Sequence, residues 1–404
     1  MPTDDDGAEL LTGAQIGGLL EAAVQHAGGR LVAWELDHVD AQPHRSTTAT
    51  YAAKVVWPHG ERHELLGVSA RAQGPTDADA RAEIFADGDR EVAVWLYPND
   101  PELPGLTRAA YAESMAAILS DYRVVERRLT APELTLDMMT YRPRRRAVVR
   151  DRVAGGATFY TKVLRESAVG PVARRHRLLQ EAGVPAPPVL ARTPDHLLVM
   201  GALPGAALAQ ALFQPGRPCT AEQLIGVLDA MPTSVAGLER RPPWTDALEH
   251  YSAMIAAALP QASATLDWIG KEVRAGLSGL PQGTEPTHGD FHEGQVHVAA
   301  GKVVGILDID TIGPGRRADD LACLIAHMST ISGMNASQAA GMHALLRAWV
   351  PVFDERVDPI ELRLRAAAVI VSLATGPYRV QAPTWVSETL AMIDAAGALV
   401  RQVA

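Results

Sequence analysis

The alternation of apolar and polar residues in the first third of the chain predicts a small α+β unit. Apolar side chains recur at helical spacing at Ile16, Leu19, Leu20 and Ala23, which predicts an amphipathic helix over residues 14–27. Extended runs separated by Pro, Gly, Asn and Asp predict strands, and a second helix follows them. The strands are predicted over residues 30–40, 47–57, 62–72 and 91–97, and the second helix over residues 108–120.

A second block of alternating residues begins near residue 131 and predicts another sheet. Its strands are predicted over residues 134–140, 146–153, 158–164 and 196–200, and its one helix over residues 171–182. After residue 203 the pattern is mostly helical, apart from a hairpin-like segment at residues 284–313. No internal repeat is visible. We therefore expect three parts, at residues 1–128, 129–202 and 203–404.

Composition and charge narrow the class of partner. The chain has 404 residues, of which 47% are hydrophobic, so it has enough apolar material for several packed units. Asp and Glu outnumber Lys and Arg by 47 to 37, which gives a formal net charge of -10. A nucleic acid would meet a repelling average field, so we expect no nucleic-acid partner.

Neither a membrane segment nor an export signal is predicted. The longest apolar stretch, residues 366–375, is about half the ~20 residues that a membrane-spanning helix needs. Residues 1–10 contain an Asp run and lack the basic and apolar segments of an export signal. The two cysteines, Cys219 and Cys323, do not form a C-x-x-C pair or a disulfide framework. These features predict a soluble, cytoplasmic protein.

Residues 287–310 carry the side chains best suited to chemistry. A loop with Asp290 and Gln295 leads into a predicted hairpin, whose far strand returns Asp308 beside the loop. Two acids and an amide oxygen then lie together, and such hard oxygen ligands suit Mg²⁺. A carboxylate five residues before an amide also has the spacing of the kinase loop H-R-D-x-x-x-x-N. In that loop the Asp orients the attacking hydroxyl and the Asn holds metal, so the spacing predicts phosphoryl transfer.

The sequence His-Gly-Asp-Phe-His at residues 288–292 resembles the aminoglycoside phosphotransferase and choline kinase superfamily. The usual pattern of that superfamily is H-G-D-x-H-x-x-N, a hairpin with I-D, and a G-D-P-x-x-D-L-A segment. Asp308 and residues 313–322 follow here in the same order. Gln295, in place of the common Asn, is similar to the actinobacterial maltokinases and glucosamine kinases, which also carry an N-terminal cap domain.

The resemblance implies a fold and a set of ligands. The fold would be α+β and bilobal, with a β-rich N-lobe at residues 129–202 and a mostly helical C-lobe at residues 203–404, as in protein kinases. Residues 1–128 would form the additional α+β cap domain. ATP and Mg²⁺ would be the cofactors, and the partner would be a small molecule with a hydroxyl acceptor. The oligomeric state is not indicated.

The resemblance also implies roles for individual residues. Asp290 would be catalytic, and Gln295 and Asp308 would hold Mg²⁺. Lys162, on the third N-lobe strand, would hold the α and β phosphates of ATP. The chain has only four lysines, and Lys54 is the rival candidate because it also lies in a predicted strand, where a solvated edge-strand charge is the simpler interpretation.

Three further residues are expected at the nucleotide. Met200 and Ala202 would lie in the hinge that binds adenine, although an ordinary interdomain linker would look similar. Arg144 lies in the turn that replaces the glycine-rich loop, where arginines can clamp phosphates or simply be solvated. The helix after Lys162 lacks a clear partner glutamate.

Four residues near the motif are expected to support it. His288 would brace the loop rather than act as a base, and His292 alternates with it as H-x-D-x-H, which weakly suggests a metallohydrolase. Asp310 would be an outer carboxylate, a second metal contact or a turn-former. Asp320 would cap or brace the helix that follows.

The sequence thus predicts an ATP-dependent kinase that acts on a sugar or amino sugar. An aminoglycoside antibiotic is the alternative acceptor. A nucleotide-binding pseudokinase or regulatory module is the competing class, because the glycine-rich loop and the partner glutamate are missing. Joint retention of Asp290, Asp308 and Lys162 argues for the enzyme.

Overall fold

A computed structural model describes residues 7–42, 46–71, 82–87, 90–379 and 382–403. The Asp run at the N-terminus and the last residue of the strand predicted over residues 62–72 lie outside them. The chain forms two compact units: Met1–Gly170 with Val189–Ala202, and Pro171–Pro188 with Leu203–Ala404. The predicted mixed α+β fold is confirmed, since the strands concentrate in the first unit and the helices in the second.

The first sheet of the first unit has five antiparallel strands in the order β1-β2-β3-β5-β4. Alternate side chains of these strands pack against two N-terminal helices around Tyr51, Val55, Leu66 and Val94. The bounds are α1 Ala8–Thr12, α2 Ile16–His26, β1 Arg30–Gln42, β2 Ser46–Trp57, β3 Gly60–Arg71, β4 Glu83–Asp87 and β5 Arg90–Leu96. The sequence predicts four of these strands and misses β4, which is only five residues long.

Gly67 of β3 lies against the ring of Trp95, which leaves no room for a side chain at this position. Gly67 pairs with Trp95 of β5. A Cβ atom on Gly67 would lie 2.3 Å from the Trp95 indole. The indole is 2% exposed and its Nε1 donates to the Tyr141 hydroxyl at 2.8 Å, so it is held in place. Glycine is therefore required by the packing of the ring.

The second sheet of the first unit also has five antiparallel strands, in the order β6-β7-β8-β10-β9. One face packs against two short helices through Leu106, Met115, Val149 and Val163. The bounds are α3 Leu106–Ala109, α4 Ala112–Asp121, β6 Leu134–Arg142, β7 Arg146–Val153, β8 Thr158–Leu164, β9 Val189–Arg192 and β10 Leu197–Gly201. The helix predicted over residues 108–120 is thus two helices.

Helix α5, Glu166–Glu181, crosses the division between the two units. The sequence predicts a start at Pro171, because proline is favoured in a first helical turn. The helix instead begins at Glu166 and keeps Pro171 inside it. Strand β9, which follows the proline-rich connection, is missed because four residues carry too little periodicity.

The second unit is mostly helical and includes two small sheets. Strands β11, β13 and β14 form one sheet in the order β11-β13-β14, and β12 pairs with β15. The strand bounds are β11 Ala206–Ala207, β12 Glu285–Thr287, β13 Val296–Ala299, β14 Lys302–Ile306 and β15 Gly313–Gly315. The helix bounds are α6 Leu208–Ala211, α7 Ala221–Asp229, α8 Leu248–Ala258, α9 Ser263–Leu277, α10 Arg317–Ser329, α11 Ala336–Arg356, α12 Pro359–Leu373, α13 Gly376–Arg379 and α14 Trp385–Val400.

Helix α12 lies at the centre of the helical unit. Residues 364–372 are all buried, and the helix packs against α9, α10 and α14. The longest apolar stretch of the sequence is therefore part of a core helix. A helix segment that is apolar on all sides is expected to be surrounded by other elements in this way. Among the described residues, no helix combines the length and the apolar character that crossing a membrane requires.

We predict that Gly67→Ala destabilises the first unit. The new methyl group would overlap the buried Trp95 ring, and overpacking of this kind costs about 1–3 kcal/mol. Thermal unfolding followed by circular dichroism would show a lower melting temperature. Gly18→Ala is the matched control, because a Cβ atom there meets nothing within 4 Å and α2 gains helix propensity. An unchanged melting temperature for Gly67→Ala would contradict the packing constraint.

Candidate active site

The predicted catalytic loop lies between β12 and β13. Phe291 is fully buried in the core of the helical unit and anchors the middle of the loop. Its neighbour Asp290 points the other way, with a side chain that is 26% exposed. The buried Phe291 thus anchors a loop in which the neighbouring carboxylate stays partly accessible to solvent.

The hairpin β13–β14 returns the chain to this loop. The backbone N–H of Leu307 donates to the carbonyl of Gln295 at 2.7 Å. This bond places Asp308 next to the residue that ends the loop, as the sequence predicts. Asp308 has a φ of 45°, a left-handed conformation that costs free energy for a residue with a side chain. The structure thus holds this carboxylate in a strained but defined place.

A buried carboxylate braces the start of the loop. Asp320 is 1% exposed and accepts from the backbone N–H groups of His288, at 2.9 Å, and Gly289, at 2.8 Å. Arg317 donates to the same carboxylate at 3.2 Å. Burial raises the pKa of Asp320, while Arg317 and the two backbone donors oppose the rise. Asp320 therefore supports the loop that precedes its helix, and the cap of α10 is supplied by Asp319 instead.

Contacts with Thr311 and Leu307 also hold the backbone at the start of the loop. Gly289 has a φ of +78°, and a Cβ atom there would lie 2.9 Å from the carbonyl oxygen of Thr311. The Thr311 hydroxyl donates to the carbonyl of His288 at 2.9 Å. His288 Nε2 lies 2.8 Å from the carbonyl of Leu307, so this nitrogen carries the proton and donates. The ring thus connects the start of the loop to the end of the hairpin.

Arg241 contacts the loop beside Asp290, and the sequence does not predict this contact. Its Nη1 donates to the carbonyl of Gly289 at 3.2 Å and lies 4.0 Å from an oxygen of Asp290. Its guanidinium lies over the Trp244 ring, 4.9 Å from the ring centroid. The Pro-Pro pair after Arg241 and the aromatic residue beyond it are the only local signal.

His292 lies beside the predicted metal ligand Gln295. The two side-chain nitrogens, His292 Nε2 and Gln295 Nε2, are 3.2 Å apart. The His292 ring stacks on His327 with centroids 4.2 Å apart and planes 8° from parallel. A Glu293 oxygen lies 3.8 Å from Nδ1 of each ring. Burial raises the pKa of Glu293 and lowers that of His327 to about 3.

Within the described part of the chain, the side chains of His292, Glu293 and His327 lie close enough together to bind one metal ion. The two stacked rings, however, keep their nitrogen lone pairs in two nearly parallel, separate planes, so the lone pairs do not point directly at one shared ion. The H-x-D-x-H pattern also brings no zinc site together, because His288 is engaged by Leu307. The predicted ligands, Gln295 and Asp308, offer a carboxamide and a carboxylate oxygen, the type of donor that Mg²⁺ prefers.

Asp310 lies in a short 3₁₀ turn, Ile309–Thr311, directly after Asp308. It is an electrostatic neighbour of Arg175 on α5, whose pKa burial lowers while Asp310 raises it. Arg175 Nε also donates to the carbonyl of Ile312 at 3.2 Å. The negative charge of Asp310 thus partly compensates the buried positive charge of Arg175.

The predicted nucleotide residues lie in the first unit. Lys162 is on β8 and only 6% exposed, whereas Lys54 is exposed and forms an ion pair with Glu61 at 2.8 Å. Strand β2, which carries Lys54, lies between β1 and β3, so its charge is solvated without being at an edge. Met200 is buried near the end of β10, and Ala202 follows that strand.

Arg144 is engaged inside the first unit. Its side chain is 9% exposed and pairs with Glu102 at 3.2 Å, and its guanidinium lies 5.4 Å from the Trp95 ring centroid. Its backbone N–H donates to Asp100 at 2.8 Å. Asp100 also accepts from the Tyr141 hydroxyl at 2.8 Å. This network gives Arg144 a packing role, and nothing in it is specific to a nucleotide.

A cavity of about 630 Å³ adjoins the catalytic loop within the helical unit. It reaches the loop at Gly289 and is otherwise lined by residues 240–249, by α9 and the segment after it, by residues 311–319 and by Arg365 of α12. Its charged lining residues are Arg240, Arg241, Asp246, Glu249, Arg274, Arg316, Asp319 and Arg365.

Solved structures are similar to this chain. One is a thermostable mutant of the aminoglycoside phosphotransferase APH(4)-Ia in a ternary complex with AMP-PNP and hygromycin B, with 16% identity and a TM-score of 0.52 over 72% of this chain and 99% of that chain. Another is the amicoumacin kinase hAmiN in complex with AMP-PNP, Ca²⁺ and Ami, with 14% identity and a TM-score of 0.49 over 72% of this chain and 95% of that chain. At such low identity, the first likeness shows the fold alone.

No curated protein matches the sequence of the chain. The sequence profile of the phosphotransferase enzyme family matches residues 139–357, which is more than half of the chain. The match includes the loop with Asp290, the hairpin that returns Asp308 and the bracing residue Asp320. The chain therefore belongs to the phosphotransferase enzyme family.

Proposed function

We propose that the chain transfers the γ-phosphate of ATP to a hydroxyl group of a sugar or amino sugar. The observation that carries the proposal is the loop in which Asp290 is partly exposed while Asp320 holds the backbone N–H groups of His288 and Gly289. A carboxylate held in this way can orient an acceptor hydroxyl and take its proton. Family membership supports the reaction class, and the choice of a sugar rests on the Gln295 resemblance.

In the proposed reaction, the acceptor oxygen attacks the γ-phosphorus as the bond from that phosphorus to the β,γ-bridging oxygen breaks. The hydroxyl proton passes to the Asp290 carboxylate, and ADP leaves. Arg241 keeps the loop in place through the Gly289 carbonyl. The protein contributes mainly position and charge, as expected for phosphoryl transfer.

Gln295 and Asp308 are proposed to hold Mg²⁺, which when bound neutralises charge on the phosphates. Their oxygens come from the two ends of one hairpin, and the Leu307–Gln295 hydrogen bond sets their spacing before any ligand arrives. Lys162 is proposed to neutralise the α and β phosphates. Lys162 is buried on β8, and its ammonium group can form charge-assisted hydrogen bonds with phosphate oxygens.

An aminoglycoside acceptor and a regulatory module remain the rival interpretations. ADP release across sugars, amino sugars and aminoglycosides, with phosphorus NMR of the product, separates them. Tight MgATP binding without ADP release for any acceptor would favour the module.

We predict that Asp290→Asn strongly slows transfer and preserves nucleotide binding. The amide cannot accept the hydroxyl proton, and the loss of a general base lowers turnover by about 10²–10⁴-fold. ADP release would fall by this factor, while MgATP affinity from calorimetry stays unchanged. Asp394→Asn, at an exposed position on α14, is the matched control and should keep full activity. Unchanged turnover of Asp290→Asn would rule out the proposed role.

We predict that Asp308→Ala loses Mg²⁺-dependent stabilisation by ATP. A ligand at about 100 times its dissociation constant stabilises a protein by about 2.7 kcal/mol, so the loss is measurable as a thermal shift with and without Mg²⁺. Asp308→Asn is the companion variant, because asparagine tolerates the left-handed φ of 45° at this position. A full Mg²⁺-dependent shift in both variants would contradict the metal assignment.

A further inference from the structure

The cavity beside the catalytic loop has an unusual charge for this chain. The whole chain carries a formal net charge of -10. Among the residues that line the cavity, arginines nevertheless outnumber acids by five to three. A basic cavity in an acidic protein indicates a local selection of charge, because net charge alone would favour an acidic lining.

Three of the five arginines are already neutralised. Two pair with buried carboxylates of the helical unit, and the third pairs with an exposed glutamate at the cavity wall. The pairs are Arg316 with Glu361, Arg365 with Asp319 and Glu361, and Arg274 with Glu249. These pairs also use up two of the three acids that line the cavity, Glu249 and Asp319, and leave Asp246.

Arg240 and Arg241 are the remaining cations. Arg240 is half-buried, and its guanidinium faces the side-chain amide of Gln282, a neutral partner whose oxygen accepts at 3.0 Å when the amide is turned to satisfy its hydrogen bonds. Arg241 donates to the neutral carbonyl of Gly289, and the carboxylate of Asp290 is 4.0 Å away. Their hydrogen bonds go to neutral groups, and the one carboxylate near them is at the 4.0 Å limit of an ion pair. Two such guanidiniums favour an anion, since guanidinium bonds to carboxylate or phosphate are charge-assisted and often bidentate.

The position of Arg241 relates this charge to the reaction. Stacking on Trp244 restrains the guanidinium next to the loop, so little side-chain entropy is left to lose when an anion binds. An acceptor anchored there has its hydroxyl groups within one small molecule's length of Asp290. A polycation would instead meet two guanidiniums at the same wall, and like charges disfavour such an arrangement.

We propose that the acceptor carries an anionic group, a carboxylate or a phosphate, which binds Arg240 and Arg241 while one of its hydroxyls reaches Asp290. This inference rests on the proposed function and narrows the sugar to a sugar acid or a sugar phosphate. Arg240 and Arg241 become the residues that determine the acceptor charge.

Calorimetry on the full chain loaded with AMP-PNP and Mg²⁺ tests the charge directly. The ligands are D-glucose, D-glucuronate, D-glucose 6-phosphate and D-glucosamine, which share one ring and differ in charge. We expect at least one of the two anions to bind 10-fold or more tightly than glucose, and glucosamine to bind more weakly than either anion. The carboxylate and phosphate arms show which anion the site takes. Equal or weaker binding of both anions relative to glucose overturns the inference.

Variants assign the effect to the arginines. Arg240→Gln should weaken binding of the preferred anion about 10-fold or more, Arg240→Lys should recover part of it, and the affinity for AMP-PNP should stay unchanged. Arg241→Gln should act in the same direction. The matched control is Arg274→Gln, whose guanidinium is already paired with Glu249, and it should stay within about twofold of wild type. Loss of anion binding in Arg274→Gln but not in Arg240→Gln overturns the assignment.

ADP release measured on the same panel separates this inference from the proposed function. Transfer to glucose or glucosamine in preference to both anions leaves the proposed function standing and refutes the anionic acceptor. Arginine-dependent anion binding without transfer to any sugar supports the anion site and counts against the proposed function.

Discussion

The buried carboxylate of Asp320 is the interaction on which the rest of the site depends. An ionised group without solvent must be paired and hydrogen-bonded, and Asp320 meets this condition through Arg317 and the backbone of His288 and Gly289. Arg317, which is 3% exposed, is in turn held by the carbonyl of Leu228 at 3.1 Å. The loop cannot move without exposing an uncompensated charge, so Asp290 is placed by the core rather than by the loop itself.

The same helical core shapes the proposed acceptor cavity. Helix α12 is buried throughout residues 364–372, yet it carries Glu361 and Arg365, which pair with Arg316 and Asp319 at the cavity wall. Each of these charges is satisfied by an opposite one, as buried charges must be. What the cavity offers to a ligand is therefore decided by the two arginines that this network leaves out.

Prediction from the sequence works best where periodicity is strong. The strand predicted over residues 146–153 is observed as β7, Arg146–Val153, and the strand over residues 158–164 as β8, Thr158–Leu164. Half-buried strands alternate apolar and polar side chains, and this alternation can be recognised in the sequence. The sequence does not predict the short strands β4 and β9, because so few residues show no periodicity. It also misses the break between α3 and α4 and the early start of α5, because tertiary contacts override local preference there.

The sequence by itself determined the types and order of the chemical groups: the H-G-D loop, the glutamine after it and the aspartate at the end of the hairpin. These follow from residues within about twenty positions of one another, so local spacing specifies them. Only the tertiary structure decided that Arg144 pairs with Glu102, or that Arg241 lies against Gly289 and Trp244. The partners of Arg144 and the loop contact of Arg241 lie more than forty positions away in the chain. An isolated arginine in a sequence shows its charge, but the folded chain decides whether that charge is already neutralised.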